Sequence, residues 1–132
     1  MTTQPPSKAA LWGGRILTAL PVVGLLMSAG MKFKHAPEFV AQFTGHLGYP
    51  VGALTPIGVA ELLSAILYAV PKTSPLGAIL LTGYLGGAVA THVRVGEGFV
   101  APVVLGVMVW AGLFLRDSRV RALLPLRTDE PT

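Results

Sequence analysis

The chain has no cysteine in its 132 residues, which excludes disulfides, thiolate metal sites and thiol redox chemistry. It is also poor in charge: Asp, Glu, Lys and Arg make up 12% of it, where a soluble domain carries about a quarter. Catalytic signatures are missing as well. There is no nucleotide-binding loop, no Ser-His-Asp order, no HExxH and no zinc-ligand spacing. Gly83-Tyr84-Leu85-Gly86-Gly87 is glycine-rich, but it lies within an apolar helical stretch, where phosphate binding is not expected. The net charge of +4 would suit nucleic acid. Most basic residues, however, flank apolar runs or lie near the C-terminus, so membrane topology accounts for them and no nucleic-acid partner is expected.

What the chain has in quantity is apolar sequence, with a mean hydropathy of +0.66. Four segments stand out: Trp12 to Met31, Val51 to Val70, Leu76 to Val93 and Phe99 to Leu115. Each is close to the roughly 20 residues a helix needs to cross about 30 Å of hydrocarbon. None alternates with a period of two, so strands are not expected. The expected fold is an all-α transmembrane four-helix bundle over residues 12–116, with tails at 1–11 and 117–132. The run from Ile16 to Met27 follows Lys8 and Arg15 as in a signal peptide. It lacks a clean cleavage site and is followed by Lys32 and Lys34, so an uncleaved first helix is expected.

The connections add topology. Pro71-Lys72-Thr73-Ser74-Pro75 and Arg94-Val95-Gly96-Glu97-Gly98 are tight polar turns, which make the flanking spans antiparallel neighbours. The longer connection from Lys32 to Pro50 carries Phe39, Val40, Phe43 and Leu47 at helical spacing after Pro37. That pattern predicts a short interfacial helix between the first two spans. Lys8, Lys72, Arg116, Arg119, Arg121 and Arg127 fall on one side of the bundle, and Lys32, Lys34 and Arg94 on the other. The positive-inside rule then places both termini in the cytoplasm. Gly83, Gly87 and Thr91 form a small-residue face on the third helix. It is suited to packing inside the bundle or, alternatively, to a homodimer contact through Gly83 and Gly87.

Glu61, near the middle of the second span, is costly in a bilayer unless paired, protonated or hydrated. Ser64 and Tyr68 share its face at i+3 and i+7. Ser28, Lys32 and His35 are related in the same way on the first helix, if it extends that far, and Tyr84, Ala88 and His92 on the third, ending at Arg94. The candidate ligand-binding residues are therefore Ser28, Lys32, Glu61, Ser64, Tyr68, Tyr84, Thr91, His92 and Arg94, around an interior that opens outward. Glu61, His92 and Lys32 are the candidates for chemistry. Three readings stay open. Glu61 pairs with Lys32 or Arg94, or sits protonated against Tyr84, and only fixes helix register. Alternatively, the group binds a quinone-like or lipid headgroup or relays protons. A metal held by His35, Glu61 and His92 is the third. It is disfavoured because Glu61 should lie about 8–10 Å deeper than His92 at 1.5 Å per residue. Haem on His35 and His92 has no support in the spacing. His46 is expected at the interface or facing solvent.

Several pieces then come together in order. They are Ser28-Ala29-Gly30-Met31-Lys32, Gly58-Val59-Ala60-Glu61-Leu62, Pro71-Lys72-Thr73 with Gly77-Ala78, the run from Tyr84 to Arg94, and finally Trp110 and Arg116. From about Gly14 to Pro125 the chain resembles the DoxX-like family of small bacterial four-helix membrane proteins. The resemblance implies an inner-membrane protein, and family members have been linked to membrane oxidoreductase complexes and oxidative stress. An accessory subunit of such a complex is the expectation it supports. A self-contained membrane enzyme acting on a quinone-like or other lipophilic small molecule is the first alternative, and a chaperone-like interaction protein is the second. No catalytic assignment transfers from the family, since one fold serves many functions.

Overall fold

The computed structural model describes residues 4–127, and among these residues all regular structure is helical. Helix α1 (Lys8–Lys34) starts where Ser7 accepts a hydrogen bond from the Ala10 backbone N–H at 3.1 Å. This N-cap satisfies one of the donors left over at a helix start. The helix begins four residues before the expected span and ends at His35, whose φ of 52° is left-handed. Pro37 then opens the short α2 (Pro37–Ala41), which runs into a π-helical turn, Gln42–His46. This is the expected small helix between the first two spans. A 3-10 turn, Val51–Ala53, leads into α3 (Leu54–Ala69). Helices α4 (Ser74–Arg94) and α5 (Val100–Arg116) complete the bundle. The last piece, α6 (Ser118–Leu123), lies where the sequence reading expected only a tail, and it is capped by Asp117.

Helix α1 packs on α3 and α5, and α4 packs on the same two, so the four long helices form a square in the order α1, α3, α4, α5. The outside of the square is apolar. On α1, Trp12, Ile16, Leu20, Val23 and Met27 are all exposed, and their steps of four, four, three and four trace one helix face. Leu63 and Ile66 on α3, Ile79 on α4 and Val103 and Val107 on α5 continue the apolar surface. A water-soluble bundle puts its polar side chains there. This one is inverted, and α1, α4 and the stretch Val51–Ala69 are each long and apolar enough to cross a membrane. The protein is an integral membrane protein with hydrocarbon as its main solvent.

The interior divides into two halves. Toward the Arg116 end the helices are closely packed around Leu25, Ala65, Tyr68, Ala78, Leu81, Val109 and Leu113. Glycines permit this approach. A Cβ at Gly77 would lie 2.2 Å from the Tyr68 backbone nitrogen, and one at Gly14 would lie 2.8 Å from the Gly112 carbonyl oxygen. Polar bonds tie the same end together. Arg116 on α5 donates from Nε to Thr18 Oγ1 on α1 at 2.9 Å and from Nη2 to Ser74 Oγ on α4 at 2.8 Å. Ser74 in turn donates to the Tyr68 carbonyl, and the Tyr68 hydroxyl donates to the Val109 carbonyl at 2.6 Å. Toward the Lys32 end the helices are not packed to the centre.

Gly83 and Gly87 lie in that looser half. A Cβ at either would meet nothing within 4 Å, so the close crossings that their spacing predicts are made elsewhere, at Gly14, Gly112 and Gly77. Glycines in the two halves should therefore answer oppositely to substitution. Gly77→Leu forces backbone apart and is expected to cost about 1–3 kcal/mol or more, seen as a lowered midpoint in thermal unfolding in detergent. Gly83→Ala should be neutral or raise stability by about 0.5–1 kcal/mol, the usual gain for alanine over glycine inside a helix.

Candidate functional site

Lys32 is 6% exposed and Glu61 1%, both far below what these residue types tolerate unpaired. They satisfy each other: Lys32 Nζ donates to Glu61 Oε2 at 2.7 Å, joining the last turn of α1 to the middle of α3. Local sequence makes the meeting possible. Gly58 sits three residues before Glu61, and a Cβ there would come within 3.2 Å of both Lys32 Cβ and Phe33 Cε1. Ser28, one turn before Lys32, takes a second ammonium proton at 2.8 Å. The charge also lies 5.7 Å from the Phe39 ring centroid and 6.0 Å from that of Tyr84, within the range of cation–π attraction. Tyr84, whose ring the Lys32 ammonium faces, completes the group on the same cavity wall as Glu61.

This group forms one wall of a cavity of about 620 Å³ bounded by all four long helices and by the segment between α1 and α3. Its other polar edges are Gln42, Tyr49, Thr91 and His92, and the remainder is apolar, including Leu25, Ile57, Leu85 and Leu105. Gly83 and Gly87 widen it on the α4 side. A mostly apolar pocket with a few convergent polar groups is the usual form of a small-molecule site. Lys32 has three donors, and Ser28 and Glu61 use two of them, which leaves one for an acceptor in the cavity.

The segment from Phe39 to Tyr49 covers one end of the cavity and is fastened to α4. Phe39, Phe43 and Tyr49 stack in a ladder with centroid separations of 6.3 and 4.8 Å. Tyr49 and Thr91 share a hydroxyl hydrogen bond at 2.5 Å, and Thr91 donates onward to the Gly87 carbonyl at 2.9 Å, so Tyr49 is the donor of the first bond. Arg94 donates to the Leu47 carbonyl and lies 5.8 Å from the Tyr49 ring centroid. His46 bonds Glu97, and His92 Nε2 lies 3.7 Å from the other oxygen of that carboxylate.

Of the residues singled out in the sequence, the structure brings Ser28, Lys32, Glu61, Tyr84, Thr91 and His92 to this cavity. Three others sit elsewhere. Ser64 donates to the Ala60 carbonyl at 2.6 Å inside α3, Tyr68 belongs to the Arg116 network, and Arg94 acts from outside as a fastener. His35, past the end of α1, is exposed and bonds the Phe33 carbonyl. Phe39, Gln42, Phe43 and Tyr49 line the cavity without having been singled out as site residues. The i, i+4 spacing of the two phenylalanines and the single Tyr49 were the available signal.

Fold and site together define an inverted helical bundle with a charge pair buried beside an internal cavity. The sequence model of the DoxX-like family matches residues 16–112, which include the whole Lys32–Glu61–Tyr84 group, and the chain belongs to that family. Comparison with curated proteins and with solved structures gives no match.

The ion pair has a measurable signature. Lys32→Met leaves a buried carboxylate without its partner and should destabilise by about 3–5 kcal/mol, whereas the double change Lys32→Met/Glu61→Leu should recover most of that loss. Thermal unfolding of the single and double variants in one detergent checks both. Equal instability of the two would mean that the pair is not held as described.

Proposed function

We propose that the protein binds a lipophilic small molecule with a compact hydrogen-bonding head, of quinone-like chemistry, in the cavity beside Lys32, Glu61 and Tyr84. It would do so as an accessory subunit of a membrane oxidoreductase or stress-related complex. The observation that carries this reading is the combination of the roughly 620 Å³ cavity with the buried pair on its wall. If the pair existed only to fix register, close packing around it would serve better, because an adjoining void sacrifices contacts. A quinone carbonyl would accept the remaining Lys32 proton, and the apolar walls would hold the ring. A second reading, a self-contained enzyme with Glu61 as acid or base, draws on Tyr84 beside the carboxylate.

Purification of the full chain in mild detergent followed by mass spectrometry tests both parts. A co-purifying quinone-like lipid is expected with the unaltered protein, reduced at least about fivefold in Tyr84→Phe by loss of a hydrogen bond of about 1 kcal/mol. Co-recovery of an oxidoreductase supports the subunit role. Repeated recovery of an empty, solitary chain sinks it. Glu61→Gln separates the enzyme reading, since it retains shape but removes titration.

The distribution of basic residues leads us to place the protein in a bacterial cytoplasmic membrane with both termini inside. The cavity end of the bundle then faces away from the cytoplasm. The absence of cysteine makes this simple to check with single introduced thiols. Gly98→Cys lies at an exposed turn where a Cβ meets nothing within 4 Å, and it should react with an impermeant maleimide on intact cells. Lys72→Cys, at the opposite end, should react only after permeabilisation. The reverse pattern would invert the topology.

A further inference from the structure

On the outer face of the bundle a second hollow of about 650 Å³ runs between α4 and α5. It is bordered by Thr82, Gly86, Val103, Gly106, Val107 and Trp110, among others, and reaches Leu124 and Pro125. Its polar groups are spent internally: Trp110 Nε1 donates to Thr82 Oγ1 at 2.7 Å, and Thr82 donates to the Ala78 carbonyl at 2.7 Å. What the hollow offers a ligand is therefore hydrocarbon contact. Two residues, Leu85 on α4 and Pro102 on α5, line both this groove and the central cavity. The partition between them is thus one side chain thick. Opposite Leu85 stands Gly106, where a Cβ would touch Leu85 Cδ1 at 3.8 Å, so that position of α5 adds no side chain to the partition.

From this continuity we infer that the α4–α5 groove is the subsite for the hydrocarbon tail of the same molecule whose head lies at Lys32, Glu61 and Tyr84. The molecule enters sideways from the bilayer past Leu85. This rests on the ligand reading above and adds the class of ligand: an amphiphile with a long apolar tail. The groove follows α5 from Pro102 to Phe114, about 18 Å at 1.5 Å per residue. That is room for a chain of ten or more carbons, which a free polar metabolite would not use.

The test uses the full chain in detergent with Trp12→Phe, which leaves Trp110 in the groove as the single tryptophan. The probes are a dimethoxy-methyl-benzoquinone without a tail and its decyl derivative, with binding read by quenching of Trp110. Gly106→Leu should weaken the decyl probe about tenfold or more, the factor expected when about two methylenes are kept from apolar contact. Its effect on the tail-free probe should stay within about twofold. Val103→Phe fills the same groove from an exposed position and should repeat the result should Gly106→Leu fail to fold. Decyl-probe binding by both groove variants as tight as that of the unaltered chain overturns the subsite while leaving the head site standing. Undiminished decyl binding in Lys32→Met/Glu61→Leu shows a groove that takes bilayer lipid independently, which also overturns it. If neither probe binds the unaltered chain, the head reading fails and the subsite with it.

Discussion

A charge pair buried in a low-dielectric interior is the constraint on which this structure turns. Lys32 and Glu61 are each intolerable in a membrane core alone and acceptable together, provided the geometry holds at 2.7 Å. That condition fixes the rotation of α1 against α3. It also requires Gly58, because α1 must approach closely enough for the lysine stem to pass over α3. The pair then supplies the polar wall of the cavity, and the segment from Phe39 to Tyr49 folds over the same end of the bundle.

An open interior at one end of a four-helix bundle needs something to keep the helices from closing on it. The Arg116 end provides this. Thr18, Tyr68, Ser74 and Arg116 tie all four long helices, and Gly77, Gly14 and Gly112 let them meet backbone to backbone. Glycine therefore has two uses in this chain. In the closed half it allows contact, and at Gly83 and Gly87 it leaves space.

Those two uses explain what the sequence could and could not reveal. The four spans and their antiparallel order were legible, because hydropathy, span length and short turns do not depend on tertiary detail. Glu61 was legible as an anomaly, with Lys32 as one of three candidate partners alongside Arg94 and Tyr84. The grouping of Glu61 with Ser64 and Tyr68 did not hold as a single cavity wall. Residues i and i+7 share a face but lie about 10 Å apart along the axis. One stripe thus crossed from the open layer into the closed one, where Tyr68 bonds Val109. Small-residue spacing likewise identifies a bare helix face without saying whether a helix or a void lies against it. The role of Tyr49 was hidden because its position depends on the turn after the π-helical segment, which no local pattern specifies.

The charge state of the wall narrows the chemistry it suits. Lys32 and Glu61 already neutralise each other, so an anionic ligand would add a net charge to a site enclosed by Leu25, Ile57, Leu85 and Leu105. Burying that charge costs more than the one remaining ammonium donor can return. A cation would have to compete with Lys32 for Glu61. An uncharged head carrying carbonyl or hydroxyl oxygens avoids both penalties. It can accept from Lys32 and exchange hydrogen bonds with Tyr84, and its apolar body fits the remaining surface. On the ligand reading proposed above, the buried pair would act as a filter by charge, its own neutrality favouring a neutral, oxygen-bearing lipophile.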